Sequence, residues 1–201
     1  MSTPRDLMIV ALDVAPGRPL ERGDLSLALA GAEVYDLLRT GAVRLDGDRL
    51  VPRASPAPED PLLAEAASAL VREAPYESPA DWLWRRGRGL SSAYLAALEA
   101  EGQIGWERNR WLPFRGGRTV LSDTEARRRA GYRWAADEPV LLALAAAAGI
   151  RDELTPAEPA VTDDTVLTVL AAVHDAVMEL EAVRQRRAIE DAAFANVWRG
   201  A

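Results

Sequence analysis

The spacing of apolar and polar positions divides the chain into helices joined by short, turn-rich segments. Residues 7–12 (LMIVAL) form an unbroken apolar run, which predicts a buried strand or extended segment. The loop APGRPLERGD follows, and Asp24 is placed to cap a helix running to about residue 39. Leu25, Leu29, Ala32 and Leu38 mark one face of that helix. Leu27, Val34 and Leu37 make it apolar nearly all round, so it should lie deep in the core. Gly41 ends it, and AVRLDGDRLVP reads as a strand, an Asp-Gly turn and a returning strand.

Helical spacing returns over 61–73, starting with proline in the first turn, and a short helix is expected over 80–86. Leu90, Tyr94, Leu95 and Leu98 give one face of a further helix that stops at Gly102. Residues 103–121 predict a second hairpin, with Asn109 near its first turn and Gly116-Gly117 later. Asp123 would cap a basic helix to about residue 134, and 139–148 is a short apolar helix. The last helix is capped by Asp163 or Asp164 and keeps Leu167, Leu170, Val173, Val177 and Leu180 in register. Unbroken to residue 194 it would span about 45–50 Å, and the charged stretch 179–187 is where a break would fall. The fold class is therefore mainly α: one domain over 1–201, with amphipathic helices around a buried apolar helix and short β-hairpins. Segments 1–5, 52–60 and 151–161 read as flexible.

Composition adds exclusions. There is no cysteine, which removes disulfides and thiolate metal sites. The opening apolar run is too short for a signal peptide or a membrane span, so contact with a membrane would be peripheral and the chain cytoplasmic. All 24 basic residues are arginine, which with the abundance of Ala, Leu and Gly suggests a GC-rich bacterial genome. The net charge of −7 is uneven: residues 82–133 carry eleven arginines against five acids, leaving the remainder at −13. A basic sector on an acidic chain suits an anionic partner.

Catalytic chemistry is not legible. His174, the single histidine, sits on the last helix without a second histidine or a cysteine, so zinc sites of the usual kinds are excluded. No nucleophile elbow, Walker loop or dinucleotide fingerprint occurs. Asp46/Asp48 and Asp163-Asp164 are accounted for by turns and capping. The chain is expected to be no enzyme, with no metal and no cofactor. Arg85, Arg86 and Arg88, by contrast, precede a helix that begins with Ser91 and Ser92, and guanidinium groups around a helix start suit phosphate. The hairpin WERNRWLPF places Trp106, Trp111, Leu112 and Phe114 among arginines, a mixture suited to the headgroup layer of a bilayer.

The succession of these pieces resembles the Golgi phosphoprotein 3 family. The stretches that carry it are LMIVALDVAPGRP, DLSLALAGAEVYDLLRTGAVRLDGDRLV, DPLLAEAASALV, RGLSSAYLAALEAEGQIGWERNRWLPF and EPVLLALAAAAGI. The resemblance implies a mostly helical domain that binds phosphatidylinositol 4-phosphate as a membrane adaptor and helps retain client membrane proteins. It also implies a projecting hairpin, here 104–114, that enters the bilayer and mediates homo-oligomer contacts. The lipid pocket of the eukaryotic members uses a tryptophan and three arginines, which align here with Glu21, Ala30, Arg88 and Ser91. Only Arg88 matches, so the ligand expected is an anionic phospholipid surface in general.

Two rivals remain. YDLLRTGAVRLDGDRLVP and AALEAEGQIGWERNRWLP both read helix, glycine, strand, turn, strand, proline, the outline of a winged-helix DNA-binding regulator. The helix that would enter the groove presents Ser91, Ser92, Glu99 and Glu101 and no arginine, which disfavours nucleic acid. The second rival is an oligomeric scaffold protein without lipid binding, partnered through the last helix.

Overall fold

The computed structural model describes residues 2–14, 20–107, 118–151 and 161–199, without the side chains of 106–107, 118–120 and 193–199. Two helices open the chain, α1 (Thr3–Asp13) and α2 (Arg22–Arg39), followed by the antiparallel pair β1 (Val43–Asp46) and β2 (Arg49–Pro52). Then come α3 (Pro61–Ala69), α4 (Pro79–Arg86), α5 (Leu90–Ala100), and a second pair, β3 (Ile104–Glu107) with β4 (Arg118–Leu121). Helices α6 (Glu125–Ala135), α7 (Pro139–Ala147) and α8 (Asp164–Arg199) complete the single, mainly helical domain.

The centre is α2, as its all-round apolar pattern requires. Leu27, Ala28, Leu29, Ala30, Ala32, Val34 and Leu37 are buried, and α1, α4, α5, α7 and α8 pack around it. Trp82 of α4 is wholly enclosed against this helix, and its indole N–H donates to the Ala30 carbonyl at 3.2 Å. That bond removes the cost of a buried donor left unpaired.

The extended segment expected at 7–12 is instead the body of α1. Pro4 sits in its first turn, and the Asp36 carboxylate of α2 accepts from the Thr3 backbone N–H at 2.6 Å and from its hydroxyl at 2.9 Å. The helix is thus capped by a neighbour 33 residues away. Leu7 to Ala11 are all buried, so no side faces water and the run shows no helical period. Residues 2–4, read as part of a loose end, are buried with them.

Two caps also differ from expectation. Helix α2 starts at Arg22, one turn early, leaving Asp24 in its first turn, where its carboxylate accepts from Arg184 of α8 at 2.6 Å. Helix α6 is capped by Thr124, whose hydroxyl accepts from the Arg127 N–H, and not by Asp123. Helix α3 ends at Ala69, short of the expected 73. The first hairpin forms as read, with Gly47 at φ +60° in the β1–β2 turn; the strands of the second pair from Ile104 with Leu121, while Asn109 and Gly116-Gly117 lie outside the described residues. Segment 53–58 has no regular structure, and 152–160 lies outside the described residues.

Helix α8 runs through 179–187 without a break and, at 36 residues, is about 54 Å long. Asp163 caps it, accepting from the Thr165 and Val166 N–H groups at 2.8 and 3.2 Å. Val169, Val173, Ala176 and Val177 face the core, whereas residues 185–192 are exposed on every side. His174 is exposed.

Candidate functional site

The turn between α4 and α5 carries the three arginines singled out in the sequence, and it is built tightly against α2. A side chain at Gly87 would meet the Leu83 carbonyl oxygen at 2.6 Å and the Ser26 carbonyl oxygen at 3.4 Å. Gly89 adopts φ +71°, open to glycine at little cost. The start of α5 is then stitched to the start of α2. The Ser91 N–H donates to Ser26 Oγ at 3.1 Å, the Ser26 hydroxyl donates to Ser91 Oγ at 2.9 Å, and the Ser91 hydroxyl reaches the Arg22 carbonyl at 3.3 Å.

The arginines on this turn have different fates. Arg85 lies 5.1 Å above the Trp82 ring and binds Glu77 through two nitrogens, at 2.6 and 3.1 Å, with a third bond to the Ala69 carbonyl. Arg86 is nearly enclosed: it donates to both oxygens of buried Glu33 at 2.9 and 3.0 Å, to Glu65 at 2.6 Å and to the Leu62 carbonyl at 3.2 Å. Burial works against the Arg86 charge, but Glu33 and Glu65 outweigh it and hold its pKa above the ordinary guanidinium value. Arg88 is exposed and has no hydrogen-bond or ion-pair partner among the described residues.

Arg22 joins it. It is exposed at the first position of α2, also without a side-chain partner among the described residues, on the segment that Ser91 ties to the start of α5. The acids nearest it in sequence are neutralised from α8, since Arg184 binds Asp24 at 2.6 Å and Glu21 at 3.5 Å. The junction of the α2 and α5 starts therefore presents two uncommitted guanidinium groups beside carboxylates already paired.

The sequence reading did not find Arg22, because the link between the two helix starts runs through Ser26 and Ser91, 65 residues apart. It also did not find the carboxylates that hold Arg85 and Arg86. Glu33, a charge in the apolar middle of α2, was the available signal that a buried cation would meet it. Of the four positions aligned with the eukaryotic lipid pocket, Ala30 and Ser91 are buried, while Glu21 and Arg88 are exposed. Trp106 lies on β3, its side chain outside the described ones, and Trp111, Leu112 and Phe114 lie outside the described residues altogether.

A central apolar helix enclosed by shorter amphipathic ones, with two small hairpins, defines a helical domain with a basic corner. A family model for Golgi phosphoprotein 3 (GPP34) matches residues 4–192, and the chain belongs to that family. Among curated proteins none matches it. No helix among the described residues is long and apolar enough to cross a membrane.

Proposed function

We propose that this protein is a peripheral membrane adaptor that docks on anionic phospholipid, with Arg22 and Arg88 meeting the headgroup phosphates. The observation that carries the reading is the pair of exposed arginines, without a partner among the described residues, at helix starts held together by the Ser26–Ser91 bonds. Family membership supports it independently. Arg85 and Arg86 then act behind the surface: by binding Glu77 and Glu33 they fix the turn on which Arg88 stands. Trp106, Trp111, Leu112 and Phe114 are proposed as the apolar insert that complements the charges. An arginine near an anionic bilayer contributes about 1 kcal/mol, so the attachment is reversible and weakened by salt. It has no catalytic step, metal or cofactor.

The exposed face of α5 argues against the winged-helix alternative. Ser92, Ala93, Ala96, Glu99 and Ala100 point outward, offering no cation to a phosphate-lined groove.

Vesicle flotation tests the reading, with neutral, phosphatidylglycerol-containing and phosphatidylinositol 4-phosphate-containing membranes at low and moderate salt. The protein should float with both anionic vesicles and not with neutral ones, and duplex DNA should not displace it. Preference for the phosphoinositide would extend the family's pocket chemistry to this chain. Trp106→Ala with Trp111→Ala should weaken flotation while leaving the circular dichroism unchanged. Failure to float with any anionic vesicle would remove the membrane role and leave a scaffold.

A further inference from the structure

A second site lies at the other end of α2. Between the end of that helix, β1 and the starts of α7 and α8 opens a cleft of about 610 Å³, within the range of small-molecule pockets. Its apolar lining comes from Val43, Leu45, Val140 and Val166. Arg39, Arg44 and Arg53 stand along it, all exposed.

The charge balance in the cleft favours an anion. Its two acids are already engaged. Glu138 accepts from the Leu141 N–H at 2.8 Å and from Arg133 at 2.9 Å, and Asp163 accepts from the first N–H groups of α8. Of the cations, Arg44 pairs with Asp46 at 2.8 Å in an exposed contact, and Arg39 approaches Asp36 only to 3.6 Å. Arg53 has no side-chain partner among the described residues. Arginine excess disfavours a cationic ligand. The valine and leucine surface gives nothing to a hydrated inorganic anion. An apolar body ending in one anionic group satisfies both halves, its charged end on the guanidinium groups and its body on the floor.

We infer that this cleft binds a small amphipathic anion, a carboxylate, sulfonate or phosphate carried on an apolar body. The site is independent of the headgroup surface. Arg22 and Arg39 stand at opposite ends of α2, about 25 Å apart at the helical rise. Such an anion is a free amphiphile, and a membrane lipid in its place is an outcome the test would reveal.

The probe is 8-anilinonaphthalene-1-sulfonate, an aromatic sulfonate that fluoresces when it leaves water, titrated into the intact chain. Saturable one-site binding is expected, displaced by decanoate and by decyl phosphate but not by inorganic phosphate or decanol. Arg39→Glu with Arg53→Glu, both surface positions, should weaken probe binding at least tenfold, a difference set by about 1.4 kcal/mol. Val166→Trp should block it by filling the cleft, and the surface pair keeps the test valid if that variant folds poorly. Arg88→Glu should change nothing here. Probe binding that is absent, that survives the Arg39/Arg53 reversal, or that decanol displaces as well as decanoate does, would overturn the inference. Displacement by phosphatidylglycerol vesicles but by neither soluble amphiphile would overturn it too, because the probe would then be reporting the membrane surface.

Discussion

Glu33 lies in the middle of α2 with no exposed surface, and three donors reach it: two guanidinium nitrogens of Arg86 and the Tyr94 hydroxyl at 3.1 Å. Burial pushes its pKa above the usual carboxylate value, and Arg86 and Tyr94 pull against that without cancelling it. Burial and the neighbouring Glu33 carboxylate likewise push the Tyr94 phenol upward, keeping it a neutral donor. Because the folded pKa of Glu33 is raised, its contribution to stability is fully present below the unfolded value and shrinks as pH rises through the folded one. Arg86→Ala should cost about 3–5 kcal/mol, the usual loss for stranding a buried charge. Removing Arg86 also moves the Glu33 pKa further up, so the loss should be larger at pH 8 than at pH 5. Urea denaturation at the two pH values checks this; an equal loss at both would mean that Glu33 is not the charge left stranded. At this scale the sequence revealed Arg88 but not its companion. Three arginines within four residues look equivalent until the acids that capture two of them, Glu77 and Glu33, are brought in by the fold.

Among the elements, the contact between α2 and α8 has the least tolerance. A Cβ at Gly31 would lie 2.3 Å from Val173 Cγ2 and 3.5 Å from Leu144 Cδ2, so α8 passes α2 where α2 has no side chain. Gly31→Ala should therefore destabilise the fold by about 1–3 kcal/mol, the range for overpacking a tight core, despite alanine's better helix propensity. Adding Val173→Ala should restore part of the loss, as read from the same urea transitions. A single variant as stable as the parent would contradict so close an approach. Legibility of the elements followed their exposure. Helices with one wet face and an adjacent cap, such as α3 after Asp60 or α4 after Ser78, are readable from spacing and capping residues. Helix α1 was misread because it is wrapped on all sides and capped by Asp36 from another helix. The charged stretch of α8 that suggested a break is tolerated because Arg184 ties to Asp24 and the residues beyond it face solvent.

Over the whole molecule, most of the described arginines of the basic sector are paired, while Arg108, Arg110, Arg115 and the Arg118 side chain lie outside what the structure describes. Arg127 pairs with Asp13, Arg129 and Arg133 with buried Asp6, Arg133 also with Glu138, and Arg85 and Arg86 with Glu77 and Glu33. All of these acids lie outside residues 82–133, so folding pairs these arginines with charge drawn from the acidic remainder. Among the described residues, the exposed arginines without a side-chain partner are Arg22 and Arg88 at one end of α2, Arg53 near the other, and Arg72, Arg186 and Arg187 elsewhere; Arg39 reaches Asp36 only at 3.6 Å. Net charge along the sequence pointed to an anionic partner but could not locate it, because the pairing depends on contacts more than a hundred residues apart.

The central claim, that membrane attachment runs through the start of α2 and the α4–α5 turn, is tested most directly by charge reversal there. Arg22→Glu with Arg88→Glu would be compared with the parent and with Arg53→Glu in co-sedimentation with phosphatidylglycerol vesicles at low salt. Losing the two cations alone removes about 2 kcal/mol, roughly thirtyfold in affinity, so the reversed pair should fall at least that far with its thermal transition unchanged, while Arg53→Glu binds like the parent. A reversed pair that still sediments like the parent, or an Arg53 variant that falls as far, would contradict the account.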